Sequence, residues 1–362
     1  MVISSLCLID IKNWLVQKQT TFGKDFSNPF IADSLLKTIW FSTHHASHAP
    51  CYSNEALAIP EQTVRDPTEL KFFLGIQIYQ SPRGIFINQA KYAQEILKKH
   101  AMTSCDSIGT PMATKYLDAN LSGTLVDQTR YRSMVRALMY LTTSRPYIVH
   151  ATCYCARYQA KPTEKHLTAV KRIFQYLKDT INIGLWYPKD TGFELIAFSN
   201  SNHVGCHDSR KSTSGGVQFL GGDKLVNWSS KKQDCTSISS AEAEYVSLYT
   251  CCTQVLWLRT QIIDYGFLFD KIPIYCDSKA AIAISCNPVQ HSRTKHIDVR
   301  YLFIKEHVEK CIVELFFVGT EYQLADLFTK ALSEDRFKYL VRRLGMRCLT
   351  PEELEVLINE FA

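Results

Sequence analysis

The chain has 362 residues, of which 46% are hydrophobic and 21% charged, as in ordinary globular proteins. No apolar run reaches the ~18 residues of a membrane helix, and Asp10 and Lys12 interrupt the apolar stretch at the N-terminus in a way that secretory signals do not. We therefore expect an intracellular protein, cytoplasmic or nuclear, with no membrane partner, and its net charge of +6 permits a nucleic-acid partner without requiring one.

Residues 1–60 show no period and no motif, and they remain unassigned. One group in them, His44, His45, His48 and Cys51, allows a zinc site as an alternative. Its spacing fits no common ligand pattern and no second ligand pair follows, so we favour a polar loop. The chain has 13 cysteines but no Cys-x-x-Cys pair, which predicts reduced and mostly buried thiols.

The next part of the chain predicts a hairpin and then helices. Strands are predicted over residues 72–79 and 85–89, joined by the turn sequence Ser81-Pro82-Arg83-Gly84. Helices follow over about residues 90–100, 127–142, 147–160 and 163–179. The last helix carries an apolar stripe and, on its other face, Lys165, Lys171, Arg172 and Lys178. A solvated face and a phosphate-binding face remain alternative interpretations of these charges.

From Gly192 onward the pattern changes to strands first and helices later. Three strands are predicted over residues 193–200, 216–220 and 225–229, and the turn Gly221-Gly222-Asp223 makes the last two a hairpin. A long helix over about 240–265, a strand over 272–276, helices over 279–287 and 298–310, a strand over 312–318 and a helix over 321–330 follow. This order predicts an α/β arrangement with a mixed sheet. Thr350-Pro351-Glu352-Glu353 predicts a short final helix.

Three acidic positions are candidates for metal ligands, each with a structural alternative. Asp277 directly follows a strand, where Asp also serves as a turn or cap residue. Glu244 lies about 40° from the buried stripe of its helix, so its charge needs compensation that a metal would supply. Glu242 fits a capping box with Ser239 and is the weaker candidate. Asp326 lies in the first turn of a predicted helix, where the helix dipole favours an acid without any metal.

Several motifs in this chain together resemble copia-type retrotransposon polyproteins. The part after residue 200 resembles their ribonuclease H domain, through Arg210–Gly215, Trp228–Gln233, Ala241–Tyr245, Tyr275–Asp277, His291–Asp298 and Leu324–Lys330. The part before it resembles the end of their reverse transcriptase, through Leu70–Ile76, Tyr131–Val135 and Lys171–Lys178. The resemblance covers about residues 61–346, and the motifs occur in the order of the family.

The resemblance implies a ribonuclease H fold that cleaves the RNA strand of RNA–DNA hybrids with two Mg²⁺ ions. The four acidic ligands of the family fall here on Asn200, Glu244, Asp277 and Asp326, so the first acid is replaced by an amide. The chain contains no Asp-Asp pair, so the metal-binding pair of the polymerase palm is absent and no polymerase activity is expected. Smaller departures are Arg136, where the family usually has Gly, and Tyr147, where it usually has Asp.

We expect four regions: an unassigned segment (1–60), a reverse transcriptase remnant with hairpin, thumb and connection helices (61–190), a ribonuclease H-like domain with a mixed five-stranded sheet (191–332) and a helical tail (333–362). The first functional hypothesis is a truncated or degenerate polyprotein copy whose hybrid-cleaving activity is weak or absent. The alternative is a nucleic-acid-binding module without chemistry. Its predicted contacts are His291, Arg293, Lys295, His296, Arg300, Lys171 and Arg172.

Overall fold

The computed structural model describes residues 72–73, 75–114, 123–189, 191–206, 208–264, 266–287 and 298–359. The zinc alternative at 44–51 and the predicted nucleic-acid contacts from His291 to His296 lie outside these residues. The chain divides into two compact units, Met1–Phe73 and Leu74–Ala362. The described part of the first unit is a short strand, β1 (Phe72–Phe73).

The second unit contains two sheets, and the first of them includes the predicted hairpin. Strands β2 (Ile76–Ser81) and β3 (Gly84–Asn88) pair antiparallel, and β3 pairs in turn with β4 (Ile183–Pro188). Gly84 is required at the hairpin, because a Cβ there would lie 2.3 Å from the carbonyl oxygen of Tyr187. The sequence did not predict β4, whose pairing partner lies about a hundred residues earlier in the chain.

Four helices cover this first part, close to their predicted bounds. They are α1 (Ala90–Lys99), α2 (Gln128–Leu141), α3 (Val149–Ala156) and α4 (Glu164–Asp179), with a 3₁₀ turn over Pro146–Ile148. The predicted apolar stripe of α4 is buried at Val170, Ile173, Phe174 and Leu177. None of the helices in the described part of the chain combines the length and apolarity needed to cross a membrane.

Arg145 lies fully buried ahead of α3, and its surroundings explain the departure at Tyr147. The guanidinium donates to the Tyr147 hydroxyl at 2.6 Å and to the carbonyl oxygens of Thr180 and Ile181. Burying a cation is costly unless its donors are bonded. Here neutral oxygens of a tyrosine and two peptide groups accept bonds from the two terminal nitrogens, where the resemblance implies an Asp side chain; Nε is left without a partner in the described part of the chain.

The second sheet is the mixed five-stranded sheet that the resemblance implies. Its strands are β5 (Leu195–Cys206), β6 (Lys211–Leu220), β7 (Lys224–Lys232), β8 (Ile272–Cys276) and β9 (Val313–Phe317), in the spatial order β7-β6-β5-β8-β9. The pairs β5–β6 and β6–β7 are antiparallel, whereas β5–β8 and β8–β9 are parallel. The predicted fold class, α/β with a mixed five-stranded sheet, is confirmed.

Helices pack on this sheet and connect its strands. They are α5 (Ser240–Ile263), α6 (Lys279–Cys286) and α7 (Asp298–Glu309), all near their predicted bounds. The helix predicted over 321–330 is wrong, since two 3₁₀ turns, Thr320–Tyr322 and Leu324–Phe328, occupy this segment. Gln323 separates them with an extended backbone, and its buried amide accepts from the Ala325 N–H and donates to the Ser199 carbonyl. These bonds tie the segment to β5 instead of allowing one continuous helix.

The C-terminal part contains α8 (Glu334–Arg343), β10 (Met346–Cys348) and α9 (Pro351–Asn359). The final helix and its capping box are confirmed, because Thr350 and Glu353 exchange side-chain to backbone hydrogen bonds. Strand β10 was not predicted. It pairs antiparallel with β4, which brings the predicted helical tail into the first sheet.

Candidate active site

The strand register places two of the predicted site residues side by side. Strands β5 and β8 are parallel, with Ser199 opposite Cys276. Asn200 and Asp277 each follow these residues directly, so they stand level at the end of β8. On the other side of β5, Asn200 lies opposite Gly215 of β6. A Cβ at Gly215 would lie 2.6 Å from the Thr329 side chain and 2.9 Å from the Ala325 carbonyl, so glycine lets the segment carrying Asp326 approach the sheet.

Helix α5 brings Glu244 to the same place. One turn further along this helix, the hydroxyl of Ser247 donates to the Asn200 carbonyl at 2.7 Å, which fixes the helix against β5. One carboxylate oxygen of Glu244, Oε1, accepts from the Ser201 N–H at 3.0 Å. The other, Oε2, is buried and has no hydrogen-bond partner within the described part of the chain. An unsatisfied buried carboxylate oxygen is costly.

Glu242 lies in the first turn of α5, two residues before Glu244, and has a different role. The backbone N–H of Glu242 donates to Ser239 Oγ, and its carboxylate accepts from the Ile238 N–H at 2.7 Å. Its side chain therefore caps the start of α5, while Glu244 faces the sheet.

The pKa values of Glu244 and Asp277 are both raised by burial and by neighbouring negative charges. Burial, and then the neighbouring Asp277, raise the pKa of Glu244 to about 8, although the Ser201 N–H and Lys330 act in the opposite direction. Burial, and then the charge of Asp326, raise the pKa of Asp277, against Lys330 and a hydrogen bond from Gln323. A cation between Glu244 and Asp277 would relieve both effects.

Asp326 has very different surroundings, although it belongs to the same cluster. Its side chain is only 3% exposed, and Lys330 Nζ lies 2.7 Å from Oδ1. The Asn200 amide also donates to Oδ1, at 2.5 Å, and Arg336 lies 3.7 Å from Oδ2. The carbonyl oxygen of Asn200 meanwhile accepts from the Ser201 N–H at 2.7 Å. Both oxygens of Asp326 therefore face cations or donors supplied by the chain itself.

The donor set on the Glu244 side fits a divalent cation. One ligand atom each from Glu244, Cys276 and Asp277 lie within 4.8 Å of one another. Carboxylate oxygens are the protein ligands that Mg²⁺ prefers, and Mn²⁺ has a similar preference. Burial, and then Glu244, raise the pKa of Cys276 to about 12, so its thiol keeps its proton and is a poor ligand for such ions. The fit therefore rests on Glu244 and Asp277.

Three residues of this site were missed by sequence reasoning. Cys276 could have been found, because the alternating pattern of β8 turns it to the buried face together with Ile272 and Ile274. Lys330 could also have been found, because it lies four residues after Asp326, the spacing at which side chains of a helix meet. Arg336 gave no separate signal, since its contact with Asp326 joins two separate elements.

The predicted nucleic-acid contacts are only partly described by the structure. Arg300 is half-buried on α7, with its guanidinium 5.9 Å from the ring centre of Tyr249. Arg172 on α4 donates to the carbonyl and hydroxyl oxygens of Thr110, so it holds a neighbouring loop. Lys171 is half-buried beside it. The basic face of α4 thus includes at least one charge with an internal structural role.

Known proteins similar to this chain come mainly from transposons. It is 36% identical over 291 residues to a retrovirus-related Pol polyprotein from transposon RE1 of Arabidopsis thaliana, covering 80% of this chain and 20% of that protein. It is 31% identical over 284 residues to the corresponding polyprotein from transposon TNT 1-94 of Nicotiana tabacum, covering 75% and 21%. An uncharacterized mitochondrial protein of Arabidopsis thaliana is 35% identical over 195 residues, 54% of this chain and 81% of that protein.

Solved structures give more distant similarities. Ribonuclease H1 from Halobacterium salinarum is 14% identical, with a TM-score of 0.29 over 38% of this chain and 94% of that one. A foamy viral protease-reverse transcriptase in complex with double-stranded DNA is 13% identical, with a TM-score of 0.41 over 68% and 37%. No protein-family model matches the chain.

The relatives from transposons decide the assignment. The identity to them is 31–36% over about four fifths of this chain, although the chain spans only about a fifth of their length. The chain therefore belongs to the family of retrovirus-related Pol polyproteins from copia-type transposons.

Proposed function

We propose that this chain carries a ribonuclease H-type hydrolytic centre for the RNA strand of an RNA–DNA hybrid, weakened by Asn200. Glu244 and Asp277 would hold a divalent cation, and Asp326 completes the acidic cluster. The observation that carries the proposal is the buried Glu244 carboxylate, with an unpartnered oxygen and a pKa raised to about 8, beside Asp277. Such a pair is costly to maintain unless a cation joins it.

The residues of the chain have separate roles in this proposal. When bound, a divalent cation would activate water and stabilise the negative charge that develops in phosphodiester hydrolysis. The Ser201 N–H orients Glu244, and the 3₁₀ turn over Leu324–Phe328 presents Asp326. Asn200 donates its amide to Asp326 where the family has a fourth carboxylate, so the centre lacks one negative charge. We further propose the four regions 1–60, 61–190, 191–332 and 333–362 as the domain organisation.

The proposal is tested with the full chain and a labelled RNA–DNA hybrid in Mg²⁺ or Mn²⁺. We expect slow cleavage that disappears in EDTA and in the variant Glu244→Gln, which keeps the shape of the side chain but removes its charge. Glu242→Gln is the matched control, because that side chain caps α5 and does not face the cluster. Cleavage that survives Glu244→Gln would contradict the proposal.

A second candidate function is nucleic-acid binding without chemistry. It is favoured by the surroundings of Asp326, whose oxygens are already engaged by Lys330, Arg336 and Asn200. Binding would use the segment from His291 to Arg300 and the basic face of α4, without sequence preference.

Salt dependence tests this second function. Affinity for a hybrid should fall steeply with salt, because each neutralised phosphate releases counterions. Replacing Arg293 and Lys295 with Ala should flatten the salt slope by roughly one unit for each phosphate that is no longer neutralised. An affinity that does not depend on salt, or that is unchanged in the double variant, would assign these charges to solubility alone.

A further inference from the structure

Lys330 is a positively charged residue close to the acidic cluster of Glu244, Asp277 and Asp326. Its ammonium lies 2.7 Å from Asp326 Oδ1, and its side chain is 37% exposed. The same charge lowers the pKa of both Glu244 and Asp277. Lys330 therefore lies within electrostatic reach of all three carboxylates of the cluster.

The net charge of the cluster disfavours the binding of two divalent cations. Three carboxylates, Glu244, Asp277 and Asp326, face one lysine and one arginine, and Asn200 is neutral. Two divalent cations would add four positive charges to these. Like charges a few ångströms apart repel strongly where water is excluded. One divalent cation, in contrast, is balanced by Glu244 and Asp277 alone.

Arg336 is less suited than Lys330 to replace a cation. Its guanidinium lies 3.7 Å from Asp326 Oδ2, and it also donates to the carbonyl oxygens of Thr320 and Glu321. Through these bonds Arg336 holds the first 3₁₀ turn, Thr320–Tyr322, in place. The ammonium of Lys330 has the shorter contact with Asp326 and is a compact point charge, as a metal ion is.

We propose that Lys330 serves as a built-in cation at Asp326, so that this chain binds one divalent ion, between Glu244 and Asp277, and repels a second. The inference rests on the proposed function, because it assumes that Glu244 and Asp277 hold an ion. In this role Lys330 is a positioning residue that neutralises Asp326. It thereby lowers the affinity of the centre for divalent ions and the number of ions that bind there.

The test is calorimetric titration of the full chain with Mn²⁺, together with melting curves in EDTA and in Mn²⁺. The central variant is Lys330→Met, which removes the charge and keeps the length of the side chain. Lys338→Met is the matched control, because Lys338 makes the same i to i+4 contact with Glu334 at 2.6 Å but both side chains are more than half exposed. Lys330→Arg restores the charge, and Glu244→Gln removes the proposed ligand.

We expect the wild-type chain and Lys338→Met to bind one Mn²⁺ ion with equal affinity, and Glu244→Gln to bind none. Lys330→Met should bind Mn²⁺ at least about tenfold more tightly, because one repelling charge is gone. Its melting temperature should be lower in EDTA and rise more on Mn²⁺ addition than that of the wild type. Lys330→Arg should bind as the wild type does, which also tests the inference if Lys330→Met fails to fold.

The outcomes separate the two proposals. If the wild type binds an ion through Glu244 but Lys330→Met binds no more tightly, the role of Lys330 is overturned and the metal centre stands. A wild type that binds two ions, or a Lys330→Arg variant that binds far more tightly, also overturns it. If neither the wild type nor Lys330→Met binds Mn²⁺, both the role of Lys330 and the metal centre fail. Binding that appears only in Lys330→Met overturns the statement that the wild-type chain binds one ion.

Discussion

The two sides of the acidic cluster differ in how their charges are balanced. Glu244 is buried and Asp277 is half-buried, and the pKa of each is raised. Asp326 is buried and is contacted by Lys330, Arg336 and the Asn200 amide. The pKa of the carboxylates on one side is therefore raised, whereas the carboxylate on the other side contacts cations of the chain itself.

This difference shows how one substitution can change a site without changing its fold. An Asp at position 200 would place a further acceptor against Asp326, whereas the amide places a donor there. The mixed sheet, the capping of α5 and the tie from Gln323 to β5 do not depend on this residue. On the proposed function, Asn200 would therefore lower the affinity of the centre for cations while the framework of the sheet is kept.

Restoring the missing charge should have the largest effect. Asn200→Asp removes the donor to Asp326 and adds a fourth carboxylate, which should strengthen stabilisation of the developing charge. We expect hybrid cleavage in Mg²⁺ to increase at least about tenfold, given that single groups of this kind often contribute 10²–10³. Initial rates on a labelled hybrid measure this, with Asn202→Asp as the matched control. An equal rate in Asn200→Asp and wild type, both folded, would remove Asn200 as the cause of weak activity.

Glu244→Gln should stabilise the metal-free chain at neutral and higher pH. The pKa of Glu244 is raised in the folded chain to about 8 from 4.5, so the folded state holds a proton that the unfolded state has lost. The free energy of unfolding should thus fall as pH rises from about 4.5 to 8, and the contribution of Glu244 should stay constant at higher pH. Urea unfolding in EDTA at pH 5 and pH 8 checks this. The variant should gain about 2–4 kcal/mol over the wild type at pH 8 and little at pH 5; an equal difference at both pH values contradicts it.

Asp326→Asn should have the opposite sign. It removes the negative charge that Lys330 and Arg336 face, and an NH2 donor replaces one of the two oxygens that now face Asn200 and Lys330 or Arg336. We expect a loss of about 1–2 kcal/mol in EDTA, kept modest because Lys330 and Arg336 are partly exposed to water. The same urea series measures this variant. A stabilised Asp326→Asn would mean that the two sides of the cluster are not different in charge balance.

Glu242→Ala should have the smallest effect. Its carboxylate accepts from the Ile238 N–H at the start of α5, so the loss should be about 0.5–1 kcal/mol of stability. Mn²⁺ affinity should stay as in the wild type, which calorimetry shows. A large loss of Mn²⁺ binding would place Glu242, rather than Glu244, in the metal centre.

Local signals predicted much of the site, and contacts distant in sequence account for the rest. The helical position of Glu244 and the strand end at Asp277 follow from periodicity, so both residues were found from sequence. The contacts of Asp326 with Asn200 and Arg336 were not, because they join separate elements and the segment forms 3₁₀ turns held by Gln323, not the predicted helix. Strands β4 and β10 were missed for a similar reason, since each is paired with a partner far away in the chain.

The central claim is that one divalent cation is held between Glu244 and Asp277. Anomalous diffraction from crystals of the full chain grown with Mn²⁺ tests it most directly. The account predicts a single peak within coordination distance of carboxylate oxygens of both residues, with Lys330 still in contact with Asp326. A pair of peaks that includes Asp326, or no peak between Glu244 and Asp277 at a saturating Mn²⁺ concentration, would contradict it.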